Sequence, residues 1–181
     1  MIRSSLVIAG VGGQGVVFLS RLFTEVARLA ADQVLSFESH GMAMRGGSVS
    51  SHLKIGAFHS PVIGWGEADI LMLLADEELA NVGHFLKQSG NLFVNGAIES
   101  AHMVDCSIRS IGATELAVKH QLPQAANLIL AGFAAGHSDF PYTIEQFQQA
   151  LQQMPLKEKI RAANLAALDI GFTAYTHSVI A

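Results

Sequence analysis

A buried strand that runs into a glycine-rich turn and then a helix is the feature that most constrains the fold. Residues 6–9 form an uninterrupted apolar run, and Gly10-Val11-Gly12-Gly13-Gln14-Gly15 follows it directly. From Val16 to Ala30, apolar residues recur every three or four positions, which is typical of an amphipathic helix. An apolar run without alternation indicates a strand that is covered on both faces. The sequence therefore predicts an α/β protein with a mainly parallel sheet.

The rest of the chain continues to alternate between predicted strands and helices, and its second half is mostly helical. Further strands are predicted at residues 34–38, 49–55, 70–75, 92–94 and 103–108, and further helices at residues 77–87, 113–120, 125–135, 144–154 and 157–179. We expect a right-handed crossover between the first two strands. No repeat or linker interrupts residues 1–181, so we predict one domain with a three-layer α/β/α, Rossmann-like architecture and a helical C-terminal segment.

Composition excludes several classes of protein. Half of the residues are apolar and 14% are charged, which favours a large core over disorder. No apolar stretch approaches the ~20 residues of a membrane span, and no signal-cleavage pattern is present, so we expect a cytoplasmic protein that does not bind a membrane. The net charge is −4 without a basic stripe, which argues against nucleic-acid binding. With so few charges, we expect a protein partner.

Metal and thiol chemistry have little support in the sequence. Cys106 is the only cysteine, which excludes an internal disulfide or a cysteine-ligated iron–sulfur cluster within this chain. The eight histidines do not fall at the spacing of a metal-binding pair with a carboxylate, so we predict no metal site. No nucleophile elbow is present, and we predict no catalytic residue within this chain alone. We interpret Cys106 as a small core residue in an apolar strand.

The glycine-rich turn is the first candidate site. Gly10, Gly12 and Gly15 match the pattern G-x-G-x-x-G between a strand and a helix, with Gly13 and Gln14 inside it. The free N–H groups of the first helical turn can bind an anion. Glu38 follows Gly15 by 23 residues, near the position of a ribose-binding acid in dinucleotide-binding proteins. Alternatively, the glycines only let the strand and the helix pack closely.

A second candidate site is the segment from Glu38 to Ser48, which contains His40 and Arg45-Gly46-Gly47. The paired glycines permit backbone conformations that other residues resist, so that Arg45 can present its planar fork to a phosphate or carboxylate. Alternatively, Arg45 pairs with Glu38 or Asp69 and holds the loop in place. The next predicted strand alternates apolar and polar residues, and we interpret His52 and Lys54 as solvated residues on its exposed face.

Several motifs in a fixed order resemble one family. They are Gly10-Val-Gly-Gly-Gln-Gly15, Glu38-Ser-His-Gly-Met-Ala-Met-Arg-Gly-Gly-Ser-Val49, Ser60-Pro61 and Ala68-Asp69. This combination is similar to the gamma subunit, or gamma domain, of 2-oxoacid:ferredoxin oxidoreductases, and its pattern is closest to the indolepyruvate type. The resemblance continues through Asn127, residues 155–159, Asn164 and Gly171, and so spans nearly the whole chain.

The resemblance implies a role in a larger enzyme. Complexes of this family decarboxylate a 2-oxoacid on thiamine diphosphate, pass electrons through iron–sulfur clusters to ferredoxin and release an acyl-CoA. Their gamma part is a Rossmann-like domain that packs against the thiamine-bearing parts and is implicated in coenzyme A access. We therefore expect a subunit that is inactive alone and holds no cofactor by itself. Its expected partners are thiamine- and iron–sulfur-bearing subunits, ferredoxin indirectly, and coenzyme A.

The expected anion- or cofactor-binding residues are Gly10, Gly12, Gly13, Gln14, Gly15, Glu38, His40, Arg45, Gly46 and Gly47. The chain departs from the family pattern at Ala75-Asp76, where a Glu-Pro pair is frequent, although Glu78 matches a later acid; Met44 stands where glutamine is frequent.

Two other functions remain open. One is an independent NAD- or FAD-binding module, and the other is a non-catalytic interaction domain. The Arg45 loop favours the oxidoreductase subunit, because a dinucleotide-binding domain does not need it.

Overall fold

A six-stranded sheet lies at the centre of the part of the chain that the computed structural model describes, residues 2–40, 47–98 and 105–180. The strands are β1 (Ser4–Val11), β2 (Val34–His40), β3 (Ser48–Ile55), β4 (Ala68–Leu73), β5 (Leu86–Asn95) and β6 (Ser107–Ile111). The α-helices are α1 (Val16–Leu29), α2 (Leu79–Val82), α3 (Ala113–Lys119), α4 (Ala126–Ala135), α5 (Ile144–Gln153) and α6 (Glu158–Ile180), and short 3-10 turns flank α2 at Asp76–Glu78 and Gly83–Phe85.

The sheet is mostly parallel, as predicted, but its strand order could not be predicted from local patterns. The order is β2-β3-β1-β4-β5-β6. β1, β4, β5 and β6 pair in parallel, whereas β3 is antiparallel to both β1 and β2. β1 and β2 therefore run in the same direction with β3 inserted between them.

Different elements pack against the two faces of the sheet. Leu6 and Ile8 of β1 belong to a large apolar cluster that also contains buried residues of α1, α4, α5 and α6. Val7 and Ala9 point to a smaller cluster, covered by the irregular segment 56–67 and the short helical segment 76–85. We call these the helical face and the thin face. The alternation within β1 is the usual pleat of a strand covered on both sides.

Helices α4 and α6 pack unusually closely on the helical face. A Cβ atom added to Gly132 of α4 would collide with the backbone carbonyl of Leu168. A Cβ added to Gly171 of α6 would collide with the carbonyl of Ile129 in the same way. The two glycines therefore let the backbones approach to a distance that no other residue permits.

Most predicted helices agree with the structure within one or two residues, but three predictions were wrong. Residues 77–87 do not form one helix; they contain short helical pieces, and β5 already begins at Leu86, where it pairs with β4. β6 begins at Ser107, so Cys106 precedes the strand and is only partly buried. Residues 103 and 104 of the predicted sixth strand lie outside the described residues.

The third wrong prediction concerns β3. His52 is only 6% exposed, and the Lys54 side chain is 12% exposed. β3 is an inner strand, and residues of the two segments on the thin face lie over its polar side.

None of the helices that the structure describes is sufficiently long and apolar to cross a membrane.

Candidate functional site

The glycine-rich turn follows β1 and is closed by backbone hydrogen bonds. The Gln14 N–H donates to the Val11 carbonyl over 3.0 Å, and the Gly12 N–H donates to the Gly47 carbonyl over 2.9 Å. Gly13 and Gly15 have φ angles of 102° and 86°, in the left-handed region that favours glycine. The Gly12–Gly47 bond joins the turn to the end of the arginine-containing segment. The structure thus brings Gly47 of the second predicted site to the glycine-rich turn.

The first turn of α1 leaves backbone donors available. Gly15 is its N-cap, no side chain caps the helix, and its first turn contains no acidic residue. The Gly15 carbonyl accepts from the Leu19 N–H over 3.0 Å, so the N–H groups before Leu19 precede the helical hydrogen-bond pattern. An open cleft of about 250 Å³ lies over this turn, between residues 11–17 and Val49 of β3. Free N–H groups and the positive end of a helix dipole suit an anion.

The Gln14 side chain connects the ends of two strands. Its Oε1 accepts from the Val11 N–H over 2.7 Å, and its Nε2 donates to the carbonyl of Leu74, just after β4, over 3.3 Å. A Cβ added to Gly10 would lie 2.8 Å from Gln14 Oε1 and 2.9 Å from the Leu74 Cβ. Gly10 therefore makes room for this connection. The amide of Gln14 is engaged within the protein, while its neighbours' backbone faces the cleft.

Asn127 supports the turn from α4, a role that the sequence did not indicate. Its side chain is buried, and its Nδ2 donates to the Gly15 carbonyl over 3.3 Å. A Cβ on Gly15 would collide with this amide. The available signal was a single polar residue in the apolar run 125–135, since a buried amide needs a hydrogen-bond partner.

The turn lies at the point where the sheet changes direction of winding. After β1 the chain continues to β2 and β3 on one side, and after β4 it continues to β5 and β6 on the other. Ligands of open α/β sheets bind outside the carboxyl ends of the strands at such a point. There the buried Glu78 accepts from Ser48 Oγ over 2.6 Å and from Asn81 Nδ2 over 3.1 Å. Glu78 thus fastens the start of β3 to the segment after β4.

The remaining predicted residues have different positions. Glu38 is exposed on β2, where it pairs in register with Ser51 of β3. Two strand spacings, about 10 Å, separate it from β1, so β3 keeps it from the place that a ribose-binding acid takes beside the first strand. His40 pairs in register with Val49. The side chain of His40, together with Arg45 and Gly46, lies outside the described residues.

Asp69, the other suggested partner of Arg45, lies near the amino-terminal end of the central strand β4 and has its own partners. It forms an ion pair with Lys87 and accepts hydrogen bonds from the N–H and the hydroxyl of Ser5, each over 2.8 Å. Burial opposes the charged form of Asp69, but the hydrogen bonds from Lys87 and Ser5 outweigh it and lower its pKa. Within the described ranges, no group of three or more His, Cys, Asp or Glu side chains can hold a metal ion.

Comparison with known proteins shows similarity along nearly the whole chain. The model of the pyruvate ferredoxin/flavodoxin oxidoreductase family matches residues 5–174. Indolepyruvate oxidoreductase subunit IorB of Archaeoglobus fulgidus is 30% identical over 190 residues, with 94% of each chain covered. Ketoisovalerate oxidoreductase subunit VorA of Methanothermobacter thermautotrophicus is 27% identical over 91% of this chain and 35% of its own length.

Solved structures share the fold. The gamma subunit of a keto/oxoacid ferredoxin oxidoreductase from Geobacter sulfurreducens superimposes with a TM-score of 0.75 at 21% identity, covering 97% of this chain and 99% of that one. The 2-oxoglutarate:ferredoxin oxidoreductase of Magnetococcus marinus, solved with 2-oxoglutarate, coenzyme A and succinyl-CoA, gives 0.80 at 15% identity over 98% of this chain and 32% of its own. Both agree with the mostly parallel α/β sheet described above.

Proposed function

Because the chain belongs to the pyruvate ferredoxin/flavodoxin oxidoreductase family, we propose that it is the gamma-type subunit of a multi-subunit 2-oxoacid:ferredoxin oxidoreductase, and that its glycine-rich turn helps to bind coenzyme A. In such a complex a 2-oxoacid is oxidatively decarboxylated to an acyl-CoA. The relatives named as subunits support this role, since the chain spans 94% of the length of the first of them. The chain contributes binding and subunit packing, and the partner subunits carry the reacting groups.

The observation that carries the coenzyme A proposal is the uncapped start of α1 beneath an open cleft. Coenzyme A is an anionic ligand with phosphate groups, and a helix N-terminus without a carboxylate in its first turn suits such a group. Glycine at position 13, where an added Cβ would meet no other atom within 4 Å, lets a phosphate approach the backbone without meeting a side chain. Arg45 precedes Gly47 by two residues in the sequence, Gly47 is hydrogen-bonded to this turn, and a guanidinium is suited to pairing with a phosphate.

Thiamine diphosphate and the iron–sulfur clusters belong to the partner subunits in this proposal. A cluster needs several cysteine thiolates, and this chain has one. Burial and the neighbouring Asp105 both raise the pKa of Cys106, which makes its thiol a poor source of thiolate. We further propose that those subunits dock on this chain and that the complex is cytoplasmic.

The test uses the reconstituted complex with Arg45→Lys and Arg45→Ala. Lysine keeps the charge but lacks the planar fork, so we expect both variants to lower kcat/KM for coenzyme A about tenfold or more. Acyl-CoA formation is measured against coenzyme A concentration, alongside the melting temperature of each subunit variant. Arg21→Lys, at an exposed position of α1, is the matched control and should behave like the wild type.

A loss of melting temperature with normal turnover in the folded fraction would instead assign Arg45 to a structural ion pair. Normal turnover and normal stability in both variants would remove Arg45 from the site. If coenzyme A saturates the complex equally well after Gly13→Asp, which places a carboxylate in the turn, the turn itself does not bind the coenzyme.

A further inference from the structure

The backbone ladder between β1 and β3 continues into the glycine-rich turn. The last residue pair of the ladder joins Val11 to Ser48. One residue further, the Gly12 N–H donates to the Gly47 carbonyl over 2.9 Å. Gly47 immediately precedes Ser48, so the direction of its carbonyl depends on where Ser48 is held. The shape of the turn is therefore coupled to the position of the first residue of β3.

Glu78 holds Ser48 from the thin face of the sheet. This glutamate is only 4% exposed, and its Oε2 accepts from Ser48 Oγ over 2.6 Å. The same oxygen accepts from Asn81 Nδ2 of α2 over 3.1 Å. A bond of 2.6 Å is at the short end of the usual range between two oxygens, and burial protects it from competition by water. Ser48 is thus fixed by a carboxylate from a different segment of the chain.

The segment that carries Glu78 is itself anchored to the carboxyl ends of neighbouring strands. The Glu78 N–H donates to the Ala75 carbonyl over 3.2 Å, so the carboxylate begins three residues after a fixed point at the end of β4. The adjacent Leu74 carbonyl accepts from Gln14 Nε2 over 3.3 Å and from Asn95 Nδ2 of β5 over 2.9 Å. Glu78 therefore extends from a support that is connected to both the turn and the sheet.

We propose that Glu78 is a positioning residue for the coenzyme A site. Through Ser48 and Gly47 it keeps the Gly12 N–H engaged, and so holds the turn in the shape in which the donors at the start of α1 face the cleft. This role rests on the coenzyme A proposal above, and Glu78 acts through the residues that line the cleft rather than by contact with the ligand. Small displacements of binding groups have large effects, so a residue outside the cleft can control binding within it.

Hydrogen exchange of the full-length chain, followed by NMR, tests the coupling without any ligand. Ser48→Ala removes the donor and Glu78→Leu removes the acceptor, and we expect each to accelerate exchange of the Gly12 amide about tenfold. The Gln14 amide donates to a carbonyl within the turn and should keep its rate. Glu78→Gln retains an acceptor oxygen and should preserve most of the protection. Ser50→Ala, on the same side of β3, is the matched control for Ser48→Ala.

The reconstituted complex connects this coupling to binding. We expect Ser48→Ala and Glu78→Leu to raise the KM for coenzyme A about fivefold, with kcat and the KM for the 2-oxoacid unchanged. Glu78→Gln should restore a KM close to that of the wild type. Glu77→Leu, at the exposed neighbouring position, is the matched control for Glu78→Leu and should behave like the wild type.

The outcomes separate the positioning role from the function on which it rests. Unchanged exchange of the Gly12 amide in folded Ser48→Ala would overturn the positioning role, and this variant decides the matter if Glu78→Leu does not fold. Equal acceleration of the Gly12 and Gln14 amides would also overturn it, because Glu78 would then only stabilise the fold. Selective acceleration at Gly12 with an unchanged KM for coenzyme A would instead overturn the coenzyme A proposal, while the coupling of Glu78 to the turn would stand.

Discussion

The helical face and the thin face of the same sheet are covered by different kinds of structure. On the helical face, long helices cover the strands, and α4 and α6 approach until their backbones touch at two glycines. On the thin face, short irregular segments leave room for polar side chains and an open pocket. Apolar burial under regular helices provides most of the stability of a domain, whereas irregular segments tolerate binding sites. The comparison therefore assigns most of the apolar stabilisation to the helical face.

The largest effect should come from the same substitution made on each face. Gly171→Ala on α6 places a methyl group against the backbone of α4, which cannot move without separating the helices. We expect it to lower the free energy of unfolding by about 3 kcal/mol or more. Gly66→Ala, in the thin-face segment, has open space for its Cβ, so only its φ of 70° opposes the change, at a cost of about 1 kcal/mol.

Urea unfolding of both glycine variants provides the measurement. If Gly66→Ala were as destabilising as Gly171→Ala, the assignment of stability to the helical face would be wrong.

An intermediate effect is expected at Glu78, the buried carboxylate at the border of the thin face. Glu78→Ala leaves the Ser48 hydroxyl and the Asn81 amide without their acceptor, which we expect to cost about 2 kcal/mol of unfolding free energy. Glu78→Gln retains one acceptor oxygen and should cost less. The exposed neighbour Glu77 is the matched control, and Glu77→Ala should stay within about 0.5 kcal/mol of the wild type. Equal melting temperatures for the Glu78 and Glu77 variants would contradict this role.

The smallest effect concerns one histidine on each face. Burial and His84 lower the pKa of His52, and burial and Arg109 lower that of His137 against the opposing effect of Asp139. Because both pKa values fall below the ordinary 6.5, the unfolded chain binds more protons in this range. The contribution of these two histidines to the free energy of unfolding should therefore be fully present above pH 6.5. It should decrease as the pH falls from there towards their folded-state pKa values.

Thermal melts between pH 7.5 and 5 test this dependence. His52→Phe and His137→Phe should each reduce the slope, whereas His59→Phe, at an exposed position, should leave it unchanged. A slope that survives in both buried-site variants would show that other groups control the pH dependence.

The sequence predicted the positions of helices and strands along the chain more accurately than it predicted which of them lie next to each other in the fold. The apolar periodicity of α1, α4, α5 and α6 and the family motifs located most of the helices and the glycine-rich turn. The position of β3 between β1 and β2 depends on pairing between distant residues, which no local pattern contains. His52 shows the consequence. It alternates with apolar residues along β3, and this alternation predicted an exposed face. The irregular segments that bury His52 have no periodicity, so the sequence did not indicate that they cover this face.

Part of the site was also beyond sequence patterns for a physical reason. Asn127 is more than a hundred residues from the turn that it supports, and only the folded chain shows its hydrogen bond to Gly15. Glu38 had the spacing of a ribose-binding acid, but its spacing in the sequence gives no information about the antiparallel strand β3 that is inserted between β1 and β2. The role of Arg45 remains a prediction.

The Gln14 side chain has a consequence for the route by which a ligand can reach the turn. By joining Val11 to Leu74, it occupies the crevice between the ends of β1 and β4 with an amide of the protein itself. An incoming molecule therefore cannot slide between these strand ends, and must arrive from the side of α1 and Val49, where the cleft opens. Entry to the turn therefore depends on whether the surface formed by α1 and Val49 is left open in the assembled enzyme.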